Sequence, residues 1–191
     1  MNEKVRVLGE QVLSNNWGLV KKTTIELKRR NGEWQRQVRE TYDRGDGAGV
    51  LLYNRDKRSV ILTRQFRFPV FAHGEAGYLI EVVAGKLDGD HPVTTARKEA
   101  EEESGYRVHD VELVMSAYMS PGSVTEKLSL FIAEYDADSK VSAGGGLEDE
   151  GEDIEVLELG IDQALSMIET GEIADAKTIM LLQHVRLKGI L

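Results

Sequence analysis

Between Gly85 and Tyr106 the chain reads GKLDGDHPVTTARKEAEEESGY, and Glu99, Glu101, Glu102 and Glu103 crowd into one short run of it. On a helix Glu99, Glu102 and Glu103 stand at i, i+3 and i+4 and share a face. Glu101 points elsewhere, where Arg97 four residues back can pair with it. At about 6 Å and an effective dielectric near 20, each like-charge pair costs roughly 2–3 kcal/mol. A cation removes that penalty, and hard oxygen donors suit Mg2+ or Mn2+. The ordinary alternative is a solvated acidic face balanced by the basic Arg97 and Lys98. The helix that must carry these carboxylates has its limits written beside it. Asp90 or His91 ends the preceding loop, and Pro92 suits a first turn, where its missing N–H costs nothing. Gly105 suits the position after the last turn, where φ is positive. The segment therefore predicts a helix of about three turns from Pro92 to Ser104.

A glycine loop followed by a helix carrying K-E-A-x-E-E-x-G-Y resembles the Nudix box. That pattern is a glycine, a spacer, then R-E-U-x-E-E-x-G-U, with U aliphatic or aromatic. Glu99, Ala100, Glu102, Glu103, Gly105 and Tyr106 fall in register. Lys98 stands where the pattern has arginine, the spacer from Gly85 is shorter than usual, and Asp90 or His91 replaces a loop glutamate. RETYDRG, RQFR, YMSPGSVTE, AGGG and EDIEVLEL extend the resemblance over most of the chain, toward the nucleoside-diphosphate-sugar branch and its GDP-mannose pyrophosphatases.

The resemblance implies an α+β fold: a Nudix α/β/α sandwich with a mixed sheet, preceded by an N-terminal antiparallel β domain that builds a homodimer. It implies Mg2+-dependent hydrolysis (Mn2+ also suits) of the pyrophosphate bond of a nucleotide sugar. GDP-mannose giving GMP and mannose 1-phosphate is the leading substrate, and ADP-ribose giving AMP and ribose 5-phosphate is the alternative. A non-catalytic nucleotide-sugar sensor on the same scaffold is expected to lose a box glutamate or Glu126, and this chain keeps them all.

Residue by residue, the resemblance implies that Glu99 and Glu103 ligate metal with the main-chain carbonyl of Ala84. Glu102 shares the site or orients water. Glu126, in S-P-G-x-x-x-E, is the general base or positions water, a role open to a desolvated carboxylate near neutral pH. Glu150 or Glu152, beyond the glycines Gly144–Gly146, reaches the metals as part of a lid, the alternative being a solvated loop on a flexible stalk. Arg67 grips the diphosphate, a task suited to a guanidinium. Arg64 is the substitute for it, or a structural partner of a box glutamate. Gly85 and Lys177 lie among the substrate-binding positions. Arg39 and Glu40 match the strand that contacts base and sugar in the partner subunit. Trp17 stands where an aromatic ring stacks on the nucleobase, or else is plain hairpin core. Val38 replaces a lysine that those enzymes can carry.

The elements that must hold these groups follow from local pattern. Trp17–Arg30 alternates as a strand, with Leu19, Thr23, Ile25 and Leu27 on one side. Asn31-Gly32 is a two-residue hairpin signal, and Trp34–Arg44 is the return strand. A hairpin with polar outward positions needs something to pack on. The break at Asp43–Gly47 divides the chain into residues 1–45, a β-rich dimerisation domain, and residues 46–191, the hydrolase domain. Ala48–Tyr53 and Ser59–Gln65 are nearly unbroken apolar runs, as in strands buried on both faces. A loop over 68–77, strands at Tyr78–Val83, Val111–Ser116, Ser129–Tyr135 and Ile154–Leu159, and two C-terminal helices complete the reading.

Composition bounds the setting. The chain has 191 residues, 41% of them hydrophobic, enough for one full domain and a smaller attachment. With 24 basic and 33 acidic side chains its formal charge is −9. That disfavours nucleic acid, whose phosphates attract basic surfaces. A small phosphorylated ligand stays open, since a metal ion supplies local positive charge. There is no cysteine, hence no disulfide, thiolate metal site or thiol nucleophile. MNEKVRVLGEQ lacks the apolar core of a signal peptide, and no apolar run approaches the ~20 residues of a membrane helix. The expected setting is the cytoplasm, with no membrane partner.

Overall fold

The structure is a computed structural model that describes residues 3–191, the side chain of Glu150 excepted. The chain divides into two compact units. One comprises the described residues up to Asp46 together with Tyr118–Lys127, the other Gly47–Ala117 with Leu128–Leu191.

The first unit is a three-stranded antiparallel sheet, β1 (Val5–Asn15), β2 (Leu19–Lys28) and β3 (Trp34–Asp43), in that spatial order. Strand β1 was not among the expected elements. Nearly all of it is exposed, so it has no buried face to leave a trace in the sequence. Trp17 lies in the turn between β1 and β2, not in β2 itself. Lys28 pairs with Trp34, so the β2–β3 connection runs from Arg29 to Glu33 and is longer than the two-residue turn that Asn31-Gly32 suggests. Gly32 still supplies the positive φ, 89°, and its N–H donates to the Arg29 carbonyl at 3.0 Å. The Tyr118–Lys127 segment is stitched to the end of β3. Tyr42 N–H donates to the Ser123 carbonyl at 2.8 Å, and Thr125 N–H to the Tyr42 carbonyl at 3.0 Å. Lys127 N–H donates to Asp46 Oδ1 at 2.9 Å.

The second unit is built on a mixed seven-stranded sheet. Its strands are β4 (Gly47–Asn54), β5 (Ser59–Phe66), β6 (Tyr78–Glu81), β7 (Val83–Lys86), β8 (Glu112–Tyr118), β9 (Lys127–Glu134) and β10 (Glu155–Gly160). The order is β10-β5-β4-β9-β8, with β6 on β5 and β7 on β4. Strands β4 and β9 run parallel, from Gly47 opposite Leu128 to Tyr53 opposite Glu134. Every residue of β4 is buried. Because successive strand side chains point to opposite faces, β4 is covered on both.

Helix α1 (Phe68–Ala72) falls within the expected loop; Pro69 in its first turn starts it. Helix α2 (Pro92–Glu99) begins as the sequence suggests, with Pro92 at its first turn and His91 Nδ1 accepting from Val93 N–H at 3.3 Å. Its inner face carries the small Ala96 and, just beyond its end, Ala100. Both are fully buried against Ala48, Val50 and Val83, so the helix lies close to the sheet. Helix α3 (Ile161–Thr170) packs on α4 (Ala176–Leu187) and β10, while α4 also contacts β4 and β6 through a side that buries Leu181, Leu182 and Val185. Among the described residues no helix is long and apolar enough to cross a membrane.

Candidate active site

The α-helix does not run to Ser104. Ala100–Ser104 widens into a π-helical turn that ends at Gly105, φ 78°, whose N–H donates to the Glu101 carbonyl at 3.0 Å. Such single wide turns recur at functional sites. The turn redistributes the glutamates. Glu101 faces outward and is gripped through both its oxygens by Arg107, at 2.8 and 2.7 Å, instead of by Arg97. Glu102 is partly exposed, with Lys98 Nζ at 3.4 Å. Glu99 is half-buried, and Glu103 is 2% exposed.

Glu103 is the most constrained of the set. Its Oε2 is buried without a hydrogen-bond partner among the described residues. Burial, then the neighbouring Glu99 and Glu152, push its carboxyl up to about 8, although Arg67 opposes them. A buried carboxylate surrounded by others is unfavourable as an anion unless a cation joins it. The wall opposite Glu99 is Gly85 on β7, next to Ala84. A Cβ at Gly85 would collide with the Glu99 carboxylate, so glycine here makes room for a side chain rather than for an unusual φ. Among the described residues no group of three or more His, Asp or Glu side chains forms a ready-made metal cage. The donors that are present fit a hard divalent ion that takes one or two carboxylates and keeps phosphate and water in its remaining positions.

The glycine run differs from the expected stalk. Gly144, Gly145 and Gly146 have φ of 70°, 113° and 80° and lie against the end of the wide turn. Gly145 N–H donates to the Glu103 carbonyl at 2.9 Å, and Gly146 N–H to the Glu102 carbonyl at 3.1 Å. These bonds satisfy carbonyls that a helix end leaves open. A Cβ on Gly144 would strike the backbone of Glu103, Ser104 and Gly105. The triplet is thus a close-packed strap, and it carries Glu152 to within electrostatic reach of Glu103. Glu152 Oε2 accepts from Leu147 N–H at 3.0 Å. Glu150 ends a 3₁₀ turn, Glu148–Glu150, and its side chain lies outside the described structure.

Arg67 donates from Nε to Glu81 Oε2 at 2.7 Å. Lys177 is buried, with Nζ 2.5 Å from Glu81 Oε1 and 3.0 Å from Asp175 Oδ1. Arg64 is exposed and bonds Glu155 at 3.2 Å, so it pairs with no box glutamate. Glu81, which Arg67 and Lys177 both bond, is a buried charge that the sequence reading passed over. The signal was a single charge inside YLIEVV, because a buried charge demands a partner.

In the first unit Glu126 closes the loop before β9, with Arg44 Nε at 3.8 Å. Trp17 is 84% exposed, so it is not hairpin core. Arg39 and Glu40 are exposed on β3 opposite Thr23 and Lys22, and the Arg39 guanidinium donates to Gln37 Oε1 at 2.7 Å.

Comparison with known proteins agrees with this construction. Residues 4–42 match the family model described as the GDP-mannose pyrophosphatase NudK N-terminal domain, and residues 43–182 match the NUDIX domain. A GDP-mannose pyrophosphatase of Pectobacterium atrosepticum is 52% identical, covering 99% of this chain and 97% of its own. One of Citrobacter koseri is 50% identical over the full length of both. The crystal structure of an ADP compounds hydrolase superposes with a TM-score of 0.75 over 98% of this chain and 96% of its own at 20% identity, a likeness of fold. The buried glutamate turn, the glycine wall beside it and the match over 43–182 lead to one conclusion: the chain belongs to the Nudix family.

Proposed function

We propose that the protein hydrolyses the pyrophosphate bond of a nucleoside diphosphate sugar, GDP-mannose foremost, giving GMP and mannose 1-phosphate. The observation that carries this reading is the half-identical, full-length likeness to GDP-mannose pyrophosphatases in a chain whose box glutamates are intact. Glu99, Glu103 and the Ala84 carbonyl would hold Mg2+, with Glu102, Glu152 or Glu150 adding charge. A divalent ion there neutralises phosphate and makes the phosphorus more open to attack. Arg67 binds the diphosphate beside Gly85. Glu126, with Arg44 Nε 3.8 Å away, takes the proton of the attacking water. Trp17 offers an exposed indole face for the nucleobase, and Arg39 and Glu40 offer donors and acceptors for base and sugar. Lys177 completes the set from behind Arg67, through Glu81.

The proposed assembly is a homodimer in the cytoplasm. Val7, Leu8, Val12 and Leu13 of β1 are 63%, 51%, 56% and 44% exposed, apolar area that a second copy would cover. Sedimentation as a stable monomer would count against it. The deciding assay is hydrolysis of GDP-mannose and ADP-ribose side by side with Mg2+. A preference for GDP-mannose of about tenfold in kcat/KM, roughly 1.4 kcal/mol of discrimination, is expected. The reverse preference would move the protein to ADP-ribose despite its relatives.

A further inference from the structure

Glu81 ends β6 as the one charge in an apolar strand, and it is 3% exposed. Its two oxygens are divided between two cations, Oε2 to Arg67 Nε at 2.7 Å and Oε1 to Lys177 Nζ at 2.5 Å. Lys177 is shared with Asp175 Oδ1 at 3.0 Å. The other Asp175 oxygen caps α4, accepting from Thr178 N–H at 3.0 Å and from the Thr178 hydroxyl at 2.7 Å. That hydroxyl oxygen in turn accepts from Val82 N–H, adjacent to Glu81, at 2.8 Å. The circuit closes between β6 and α4 and reaches Arg67, which precedes α1. It balances two anions with two cations.

The members differ in exposure. The Glu81 and Lys177 side chains are 4% and 9% exposed, whereas Arg67 is 39% exposed. The inner end is buried and Arg67 is the member that meets solvent. Stability alone does not call for this design. Arg67 completes the charge balance, because Lys177 is shared between Glu81 and Asp175, but buried ion pairs are often replaceable by apolar packing without loss. A second, outward cation held by one edge makes sense as a presented donor. Arg67 uses Nε for Glu81, which leaves its Nη donors for another acceptor.

We infer that Glu81 is a positioning residue: braced by Lys177, it holds Arg67 by Nε so that the Nη donors face the diphosphate of the substrate. This rests on the reading of Arg67 as a diphosphate ligand. Glu81 does not double as a metal ligand, because each of its oxygens already has a cation at bonding distance. Two carboxylates hold the Lys177 ammonium and leave one of its three donors for substrate.

A double-mutant cycle on the full-length protein tests this with GDP-mannose and Mg2+. Gln offers one acceptor where Glu81 offers two, and both partners are donors only, so E81Q must release one of them. R67A is expected to lower kcat/KM by about tenfold or more, and E81Q likewise. In the R67A background E81Q should cost no more than about twofold, because the group it acts through is gone. Thermal melting reads the structural contribution separately, and that contribution should shrink in the R67A background, where the Arg67–Glu81 pair is already gone. A full E81Q loss in the R67A background, or no E81Q loss at all, would overturn the positioning role. Normal turnover by R67A would instead overturn the diphosphate reading, and this inference with it. Should E81Q not fold, E81D keeps both acceptors on a shorter stem. It is read in the same cycle, with a smaller loss that again vanishes without Arg67.

Discussion

Two buried glutamates of the second unit face opposite circumstances. Glu81 and Glu103 are 3% and 2% exposed. Burial pushes the Glu81 carboxyl up, but Lys177 and Arg67 outweigh it and hold the group below the ordinary value. Burial, Glu99 and Glu152 push Glu103 up to about 8. One carboxylate has its charge completed by the protein. The other is surrounded by more of its own sign and has an oxygen without a partner among the described residues. The protein thus solves the same problem twice, once with resident cations and once in a way that leaves room for an external one. The first solution builds a braced ion-pair circuit, and the second leaves a carboxylate that a cation would complete.

Replacing each glutamate with glutamine should therefore give different mixtures of lost activity and lost stability. The largest effect is expected for Glu103→Gln. Loss of a metal-facing charge should lower kcat/KM for GDP-mannose by about a thousandfold, ~4 kcal/mol of transition-state stabilisation. Melting without metal should not fall, since glutamine keeps the shape of a carboxyl that burial and neighbouring acids already push up to about 8. The rise in melting temperature on adding Mg2+ to wild type, reversed by a chelator, should be blunted in the variant. Unchanged turnover would remove Glu103 from the site.

Glu81→Gln should join its roughly tenfold loss in kcat/KM to a loss of about 3 kcal/mol of stability, from breaking a buried ion-paired cluster. The sign of its pH dependence follows from the lowered carboxyl. The stabilisation is fully present above the unfolded value of 4.5 and is lost as pH falls through the lower folded value. Urea titrations of wild type and variant should therefore converge as the solution is acidified below that point. A gap independent of pH would mean that Glu81 is not ionised in the folded protein.

How much of this contrast was legible follows from where the information lies. The continuous apolar runs of β4 and β5 announce doubly covered strands, and Pro92 and Gly105 bracket the helix and its wide turn. The box glutamates are local in sequence and were found. Glu81 depends on Arg67 and Lys177, 14 and 96 residues away, and no local pattern reports such a circuit. The strap role of Gly144–Gly146 was hidden for the same reason. Glycine runs read as flexible until the backbone they approach is known, here that of Glu103 and Gly105. Strand β1 left no trace because a strand without a buried face has no alternation to show.

A smaller effect probes the wall of the site rather than its charges. At Gly85 an added Cβ meets the Glu99 carboxylate, the movable end of a side chain, not backbone. Gly85→Ala should therefore displace that carboxylate while leaving the fold alone. A fall of about tenfold in kcat/KM, ~1.4 kcal/mol, with little change in melting is expected. A large drop in melting temperature with unchanged turnover would reverse the reading and make Gly85 a packing residue.

The smallest effect should come from the fourth glutamate of the run. Glu101 is as acidic as its neighbours and sits between two of them in sequence, yet the wide turn faces it outward. There Arg107 grips it through both oxygens and holds its carboxyl below the ordinary value, by hydrogen bonding despite a small opposing effect of burial. Exposed pairs of this kind contribute little, so Glu101→Gln should leave kcat/KM within about twofold of wild type. Set against the loss at Glu103 two residues on, that outcome would show that the turn sorts equal carboxylates into different fates. A loss at Glu101 comparable to that at Glu103 would mean the whole acidic run acts as one charged patch, and the distinction between a completed and an awaiting carboxylate would lose its force.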